Sequence, residues 1–352
     1  MHLFVDISSH GFGHLSITAP VLAALHAQRP DWQLTIRSAL PENKLRQRIP
    51  SPFRLIVGSS DFGYRMHDAL RVDLAASAND YRLQHANWPE RVSSEADFLR
   101  SLAIDAVLTS VSYLPLAAAA QLGLPAWSVC SLNWAELFAH YYGENGWAAP
   151  ILAEMLTAYR SARHFIRITP GMAMSALDNC IDVGPLTVCG RRHALPLAGR
   201  KAVMIAMGGI AHRLPIENWP QQDEICWLTP AAWQVAHPNA IAAESLGLSF
   251  TDLLRSVDAI ITKPGYGTFT EAAANQTPVL YQKRDNWPEQ TCLIDWLHRS
   301  ARALEIDAEH LTSGHGLSTA LTALWAQTQP ALPRFDGGHQ AVEILLADLA
   351  AS

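Results

Sequence analysis

Asp258 to Gln290 reads DAIITKPGYGTFTEAAANQTPVLYQKRDNWPEQ, and the fold is decided there. Ala259, Ile260, Ile261 and Thr262 form a short apolar run with the composition of a buried strand. Lys263, Pro264 and Gly265 break it, and TFTEAAAN resumes with helical character. The order is strand, glycine turn, helix. A helix that starts directly after such a turn points unpaired backbone N–H groups and the positive end of its dipole above the sheet, a setting suited to phosphate. Glu271, in the early turns of that helix, adds an acceptor for hydroxyl groups. A second strand, Pro278 to Tyr281, leads into a polar loop carrying Arg284, Asp285, Glu289 and Gln290. An ordinary αβ unit whose glycines only make a turn has the same pattern, so this stretch leaves both readings open.

The same grammar recurs along the chain. Leu3 to Ile7 is a strand, SSHGFGH (Ser8 to His14) a glycine-broken loop, and LSITAPVLAALHAQ an apolar helix. Further strands are expected at Gln33–Ser38, Phe53–Val57, Asp105–Ser110, Pro125–Val129 and Phe165–Ile168, alternating with helices that include Leu114–Leu122 and Ile151–Arg163. Between Asp61 and Pro89 the pattern fades, and loops with partial helices are expected. Trp134 to Trp147, WAELFAHYYGENGW, reads as an aromatic-rich loop. Ile181 to Pro185 closes the first half, and the basic, proline- and glycine-punctuated RRHALPLAGRK connects to the second. There, Ala202–Ala206 ends at Gly208 and Gly209, strands follow at Ile225–Leu228 and near Ala303–Ile306, and an amphipathic helix closes the chain. The expected fold is α/β, with two doubly wound Rossmann-like domains facing across a cleft. The expected boundaries are residues 1–186, a linker at 187–200, a second domain at 201–335, and a terminal helix at 336–352 that packs back on the first domain.

Composition narrows the function. The chain has 352 residues, 49% hydrophobic and 16% charged, which supports folded cores and excludes a disordered protein. A net charge of −6 gives no reason to expect nucleic acid as a partner. The first residues, MHLFVDISSHG, lack a basic segment and carry Asp6 within the apolar run, so a signal peptide is not expected, nor is any apolar run long enough to span a membrane. A cytoplasmic protein is the expectation. Five cysteines without a CxxC pair give no disulfide framework or zinc site, and no HExxH, HxH or DxD pattern calls for a metal.

Four constellations carry chemistry. His10 and His14 sit in one glycine loop, with Gly11 and Gly13, at a strand's carboxyl end. Either imidazole could take a proton from a hydroxyl, and His14, at a helix N-terminus, is favoured to stay neutral. Gly208 and Gly209 allow close backbone approach to a ligand. The third is the opening stretch itself, and the fourth is Glu289 with Gln290, whose carboxylate and amide suit sugar hydroxyls. Each also has a bland reading, as backbone-bonded loop histidines, a tight turn, a capped helix or a polar surface loop.

Taken in order, these motifs resemble the two-domain glycosyltransferases called GT-B. The chain is similar to the N-acetylglucosaminyltransferase that makes lipid II and to the N-terminal half of plant arabinose kinases. The resemblance implies that the family's loop histidine falls on His14. It implies that GxxTxxE falls on Gly265, Thr268 and Glu271, with Glu271 on the nucleotide's ribose. Glu289 and Gln290 would then contact the donor sugar, and Gly13, Gly208 and Gly209 would lie at the donor. The chain departs from the pattern at His10, at the IAHR that follows Gly209, and in the short segment from Ala211 to Ile225.

The expected activity is therefore inverting, metal-independent transfer of a sugar from a nucleotide sugar to an acceptor hydroxyl, with no cofactor beyond that co-substrate. A uridine base is favoured only through the resemblance. His14, or else His10, would be the base. Trp134, His140 and Tyr141 are candidates for an aromatic acceptor pocket or for a patch of core. Two alternatives stay open: a non-catalytic nucleotide-sugar-binding protein, and a nucleotide-sugar epimerase or hydrolase.

Overall fold

A computed structural model describes residues 1–351. The chain divides into two compact units. Unit 1 comprises Met1–His67, Val72–Leu186 and the stretch from Phe335 onward. Unit 2 comprises Thr187–Arg334 together with the short segment Asp68–Arg71, whose Leu70 lies in the unit 2 core.

Unit 1 is built on seven strands: β1 (His2–Asp6), β2 (Gln33–Ser38), β3 (Arg54–Val57), β4 (Ala106–Thr109), β5 (Ala126–Cys130), β6 (His164–Ile168) and β7 (Cys180–Val183). Their order is β3-β2-β1-β4-β5-β6-β7, and every pairing is parallel. Leu3, Phe4 and Val5 of β1 are fully buried, as expected of a central strand covered on both faces. Helix Gly13–Gln28 follows β1. Against it packs the terminal helix Gly337–Ala350, whose first residues must be small: a Cβ on Gly337 would fall 2.0 Å from the carbonyl oxygen of Gly184.

Unit 2 is built on β8 (Lys201–Ala206), β9 (Ile225–Thr229), β10 (Ala240–Ala242), β11 (Ala259–Thr262), β12 (Val279–Tyr281) and β13 (Ala303–Glu305), in the order β10-β9-β8-β11-β12-β13, again all parallel. Val203, Ile205, Trp227, Ile261 and Leu280 meet Leu317, Leu321 and Leu324 in its core. The α/β, doubly wound expectation holds for both halves. Their order places β1 between β2 and β4, and β8 between β9 and β11. The strand order therefore reverses beside the first strand of each unit, where the loops after β1 and β8 emerge.

Two local expectations fail. Trp134–Tyr142 is a helix, because the Asn133 side chain accepts a hydrogen bond from the Glu136 N–H and caps it. Its aromatic residues are helix-spaced core: Trp134, Phe138 and Tyr142 are buried, and Phe138 packs on Tyr81 at 4.9 Å between ring centroids. The stretch from Asp61 to Pro89 also carries full helices, Leu74–His85, capped by Asp73 on the Ala76 N–H, and Trp88–Ser101, with Pro89 in its first turn. Low apolar periodicity had hidden the first. In addition, β10 and the helices Ala308–Ser313 and Leu317–Trp325 were not anticipated.

The sheet of unit 1 holds a buried charge network. Arg37 donates from Nε to Asp6 Oδ2 at 2.5 Å and from its two terminal nitrogens to both oxygens of Glu95, at 3.0 and 2.5 Å. Its guanidinium also lies over Phe4 and Phe98, 5.2 and 5.1 Å from the ring centroids. Replacing Arg37 by Ala strands two buried carboxylates, so a loss of about 3–5 kcal/mol is expected in urea denaturation followed by tryptophan fluorescence.

Candidate functional site

In unit 2, β8 and β11 are neighbours and end side by side. After β8 the chain enters Met207 and Gly208, the latter at φ +89°, a left-handed conformation that favours glycine. After β11 comes Lys263, then Pro264 and Gly265, the residue preceding helix Tyr266–Asn275. The Lys263 side chain crosses between the two glycine loops. A Cβ on Gly208 would stand 3.5 Å from Lys263 Nζ, and one on Gly265 would stand 3.8 Å from it. The lysine fills the space that the glycines leave. Burial, followed by the charge of Arg284, lowers its pKa to about 7, and Glu289 opposes the shift.

Glu271 is buried, at 2% exposure, on the helix that begins after Gly265, and Thr268 lies half-buried one turn earlier. Gly208 and Gly209 are exposed. Glu289 and Gln290 hold their own loop. Glu289 accepts from the Trp287 indole N–H at 3.0 Å, while Gln290 accepts from the Arg284 N–H and donates to the Arg284 carbonyl, each at 2.9 Å. Those bonds pin Arg284, whose guanidinium stacks on Trp287 at 3.7 Å from the ring centroid. The structure thus brings Gly208, Gly265 and Lys263 together directly, with Arg284 and Glu289 close enough to act on Lys263 through charge.

In unit 1, the loop after β1 carries His10, Gly11 and Gly13 into helix Gly13–Gln28. His14 is 5% exposed, its Nδ1 3.8 Å from Cys130 Sγ at the end of β5. Burial lowers its pKa to about 4. It therefore stays neutral at physiological pH but is a poor acceptor of a proton. His10 is half-buried. Both imidazoles meet Trp134 edge-on, with centroids 5.4 Å apart for His10 and 5.6 Å for His14. The indole N–H of Trp134 donates to Asp61 Oδ2 at 2.7 Å. Asp61, in the loop after β3, has its pKa raised to about 6 by burial and by the charge of Asp6, against hydrogen bonds from Trp134, Ser8 and Ser59. Beside this cluster an open polar cavity of about 550 Å³ is lined by Arg37, Ser59, Ser60, Asn87, Arg91 and Glu95, among others. Of the aromatic candidates, Trp134 is fully buried, Tyr141 is half-buried and His140 is exposed.

Lys263, Arg284 and Asp61 escaped the sequence reading. Lys263 had a usable signal, a lone lysine directly after an apolar strand and directly before a glycine turn. Asp61 had none, because its importance comes from Trp134, 73 residues away.

No family model matches the chain. The L-arabinokinase of Arabidopsis thaliana is 26% identical over 328 residues, which span 88% of this chain and 30% of that protein's length. The chain thus spans under a third of the relative it matches. Among solved structures, the spinosyn forosaminyltransferase SpnP superposes with a TM-score of 0.64 at 15% identity, covering 100% of both chains. LpCGTa in complex with UDP superposes with a TM-score of 0.58 at 16% identity, covering 99% of this chain and 98% of that one. At such identities the likeness establishes the fold, which is that of the GT-B glycosyltransferases.

No helix among the described residues is long and apolar enough to cross a membrane. One consequence of the Lys263 setting is measurable without a ligand. Its pKa is lower in the folded chain than in the unfolded one, so between about pH 7 and 10.5 the unfolded state binds more protons and stability rises with pH. Lys263→Met is expected to stabilise the chain by roughly 2–4 kcal/mol at pH 7, with a gain that shrinks toward pH 10, in denaturant titrations run across that range.

Proposed function

We propose that the chain transfers a sugar from a nucleotide-sugar donor to an acceptor hydroxyl, with inversion and without a metal. The observation that carries this reading is Lys263, whose ammonium lies at two glycine loops ending adjacent parallel strands, one of them opening a helix. Backbone N–H groups, a helix N-terminus and one cation together match the three elements that hold a diphosphate. Glu271, on the same helix, would take the ribose hydroxyls. The solved structure with UDP bound supports uridine as the base.

The chemistry follows from charge. As the bond between the anomeric carbon and the diphosphate breaks, negative charge grows on the phosphate oxygens, and donors fixed beforehand stabilise it without reorganising. Lys263 would be only partly protonated near neutrality in the free chain. A bound diphosphate, by adding negative charge, would restore its proton. The acceptor's proton would leave on the unit 1 side, at the cluster around His10, His14 and Trp134. Helix, glycine loops and lysine supply the stabilisation that a divalent ion would otherwise give.

A non-catalytic nucleotide-sugar-binding protein is the second reading. It is favoured by Glu289 and Gln290, whose side chains are engaged in their own loop. Incubation with radiolabelled UDP-sugars separates the two: binding with neither transfer nor hydrolysis supports the sensor. For the donor side, Glu271→Ala is expected to weaken UDP binding about tenfold to a hundredfold in calorimetric titration, a loss of roughly 1.4–2.8 kcal/mol. At pH 8, UDP binding by the wild type is expected to take up protons, detected as a buffer-dependent binding enthalpy, and Lys263→Met is expected to abolish that uptake.

A further inference from the structure

Across Trp134 from the histidine loop stands a carboxylate that the transfer reading leaves without a role. Asp61 lies half-buried in the loop after β3, at the carboxyl edge of the unit 1 sheet, where every strand of that sheet ends. Three neutral donors fix it. The Trp134 indole N–H reaches Oδ2 at 2.7 Å, Ser59 Oγ stands 3.2 Å from Oδ1 while donating to the Asp61 carbonyl at 2.5 Å, and the Ser8 side chain adds a third bond. None of them carries a charge, so the carboxylate is oriented without being neutralised. A carboxylate has about four lone-pair directions, more than these donors fill.

Asp61 differs from the other acidic groups of the site. Asp6 is 1% exposed, accepts from Arg37 Nε, and receives the Ser60 hydroxyl at 2.8 Å. Glu95 is committed to the two terminal nitrogens of Arg37. Both are structural counter-ions. Among the described residues no such cation pairs with Asp61, which stands against the same indole that meets His10 and His14. The histidine at position 14 is held between that indole and the Cys130 thiol, with no carboxylate among its hydrogen-bond partners to stabilise an imidazolium.

We propose that Asp61 is the catalytic base of unit 1: its carboxylate accepts the proton of the acceptor hydroxyl, and the two imidazoles line the place where that hydroxyl sits. This rests on the transfer reading above. In the step, the acceptor oxygen bonds to the anomeric carbon as its proton passes to an Asp61 oxygen. The bond from that carbon to the diphosphate oxygen breaks, and its electron pair leaves on the diphosphate. The carboxylate's raised pKa, about 6, suits this task, since it is ionised at neutral pH yet more basic than an ordinary aspartate. Burial sets it first, then the charge of Asp6 from β1, whose counter-ion Arg37 is shared with Glu95, against hydrogen bonds from the neutral Trp134, Ser8 and Ser59. Tyr113 and Tyr159 also feel the Asp61 charge and are pushed further from ionising by it.

The test uses the full chain with UDP-[14C]glucose as donor and either water or L-arabinose as acceptor, across pH 5 to 9. Asp61→Asn keeps an oxygen for the Trp134 N–H and is expected to keep the wild-type circular dichroism and UDP affinity. Turnover should fall at least a hundredfold, and the acid limb of the wild-type rate profile, near pH 6, should vanish. His10→Gln and His14→Gln should retain that limb. An Asp61→Asn protein that turns over within threefold of wild type, or an acid limb lost in a histidine variant instead, overturns the assignment while leaving sugar transfer standing. A wild type that binds UDP-glucose but yields neither glucose nor a glycoside overturns the transfer reading and Asp61 with it.

Discussion

Every strand pairing in both sheets is parallel, and that constraint places everything else. A parallel neighbour can be reached only by a crossover, here mostly a helix, so all strands of a sheet point their carboxyl ends the same way. The loops that leave those ends gather on one edge. In unit 1 they supply His10, His14 and Asp61, with Trp134 at the start of the helix after β5. In unit 2 they supply Gly208, Lys263 and Arg284. No long-range design is needed to assemble either group of residues beyond the direction of the strands. The twofold occurrence of this arrangement within one chain is what makes the fold GT-B in kind.

Buried charge is handled in two ways within this frame. Arg37 is deeply buried and fully matched, with Asp6 on one nitrogen, Glu95 on two, and the rings of Phe4 and Phe98 against it. Its network spends charge to fix β1, β2 and helix Trp88–Ser101 relative to one another. Lys263 and Asp61 are not matched in this way. Lys263 lies nearer to Arg284 than its charge would favour, and Asp61 feels Asp6 without a cation of its own. Such settings cost stability, and chains commonly retain them where a ligand or a reaction supplies the missing counter-charge. The contrast separates structural ion pairs from groups held in readiness more sharply than burial alone does.

How far the sequence disclosed this depends on the range over which each signal acts. Strands such as Leu3–Val5 and Ile260–Thr262 announce themselves because burial on both faces demands continuous apolar runs. The helix after Gly265 was legible because its glycine turn and its alanines are local. Trp134–Tyr142 was misread as a loop, since its aromatics obscured the cap that Asn133 forms on Glu136, a pair three residues apart that could have revealed it. Helix Leu74–His85 is hidden for another reason: its mean hydropathy is low, and Asp73 alone marks its start. At the site, His10, His14 and the glycines were visible as residue types in turns. The weakness of His14 as a base was not, because Cys130 and the enclosing core arrive from more than a hundred residues away. Glu289 and Gln290 illustrate the same limit from the other side. Their composition suits a sugar, and their bonds to Trp287 and Arg284 within their own loop were not legible from it.

The charge bias of the two units bears on what a sugar-transfer reading requires. Displacement at an anomeric carbon moves electrons in one direction: a proton must be accepted where the nucleophile enters, and negative charge must be received where the nucleoside diphosphate departs. Unit 2 presents Lys263 at glycine loops whose backbone N–H groups add to it, with Arg284 in the loop after β12. Unit 1 presents an oriented, unneutralised carboxylate, the neutral imidazole of His14 and the imidazole of His10. A protein that only stored a nucleotide sugar would need the first set and would derive nothing from the second. Holding Asp61 half-buried beside Asp6 raises its proton affinity at a cost in stability, and that cost has a return only where a proton is to be taken. The charge pattern of unit 1, more than the nucleotide-like features of unit 2, is what weighs toward catalysis over binding.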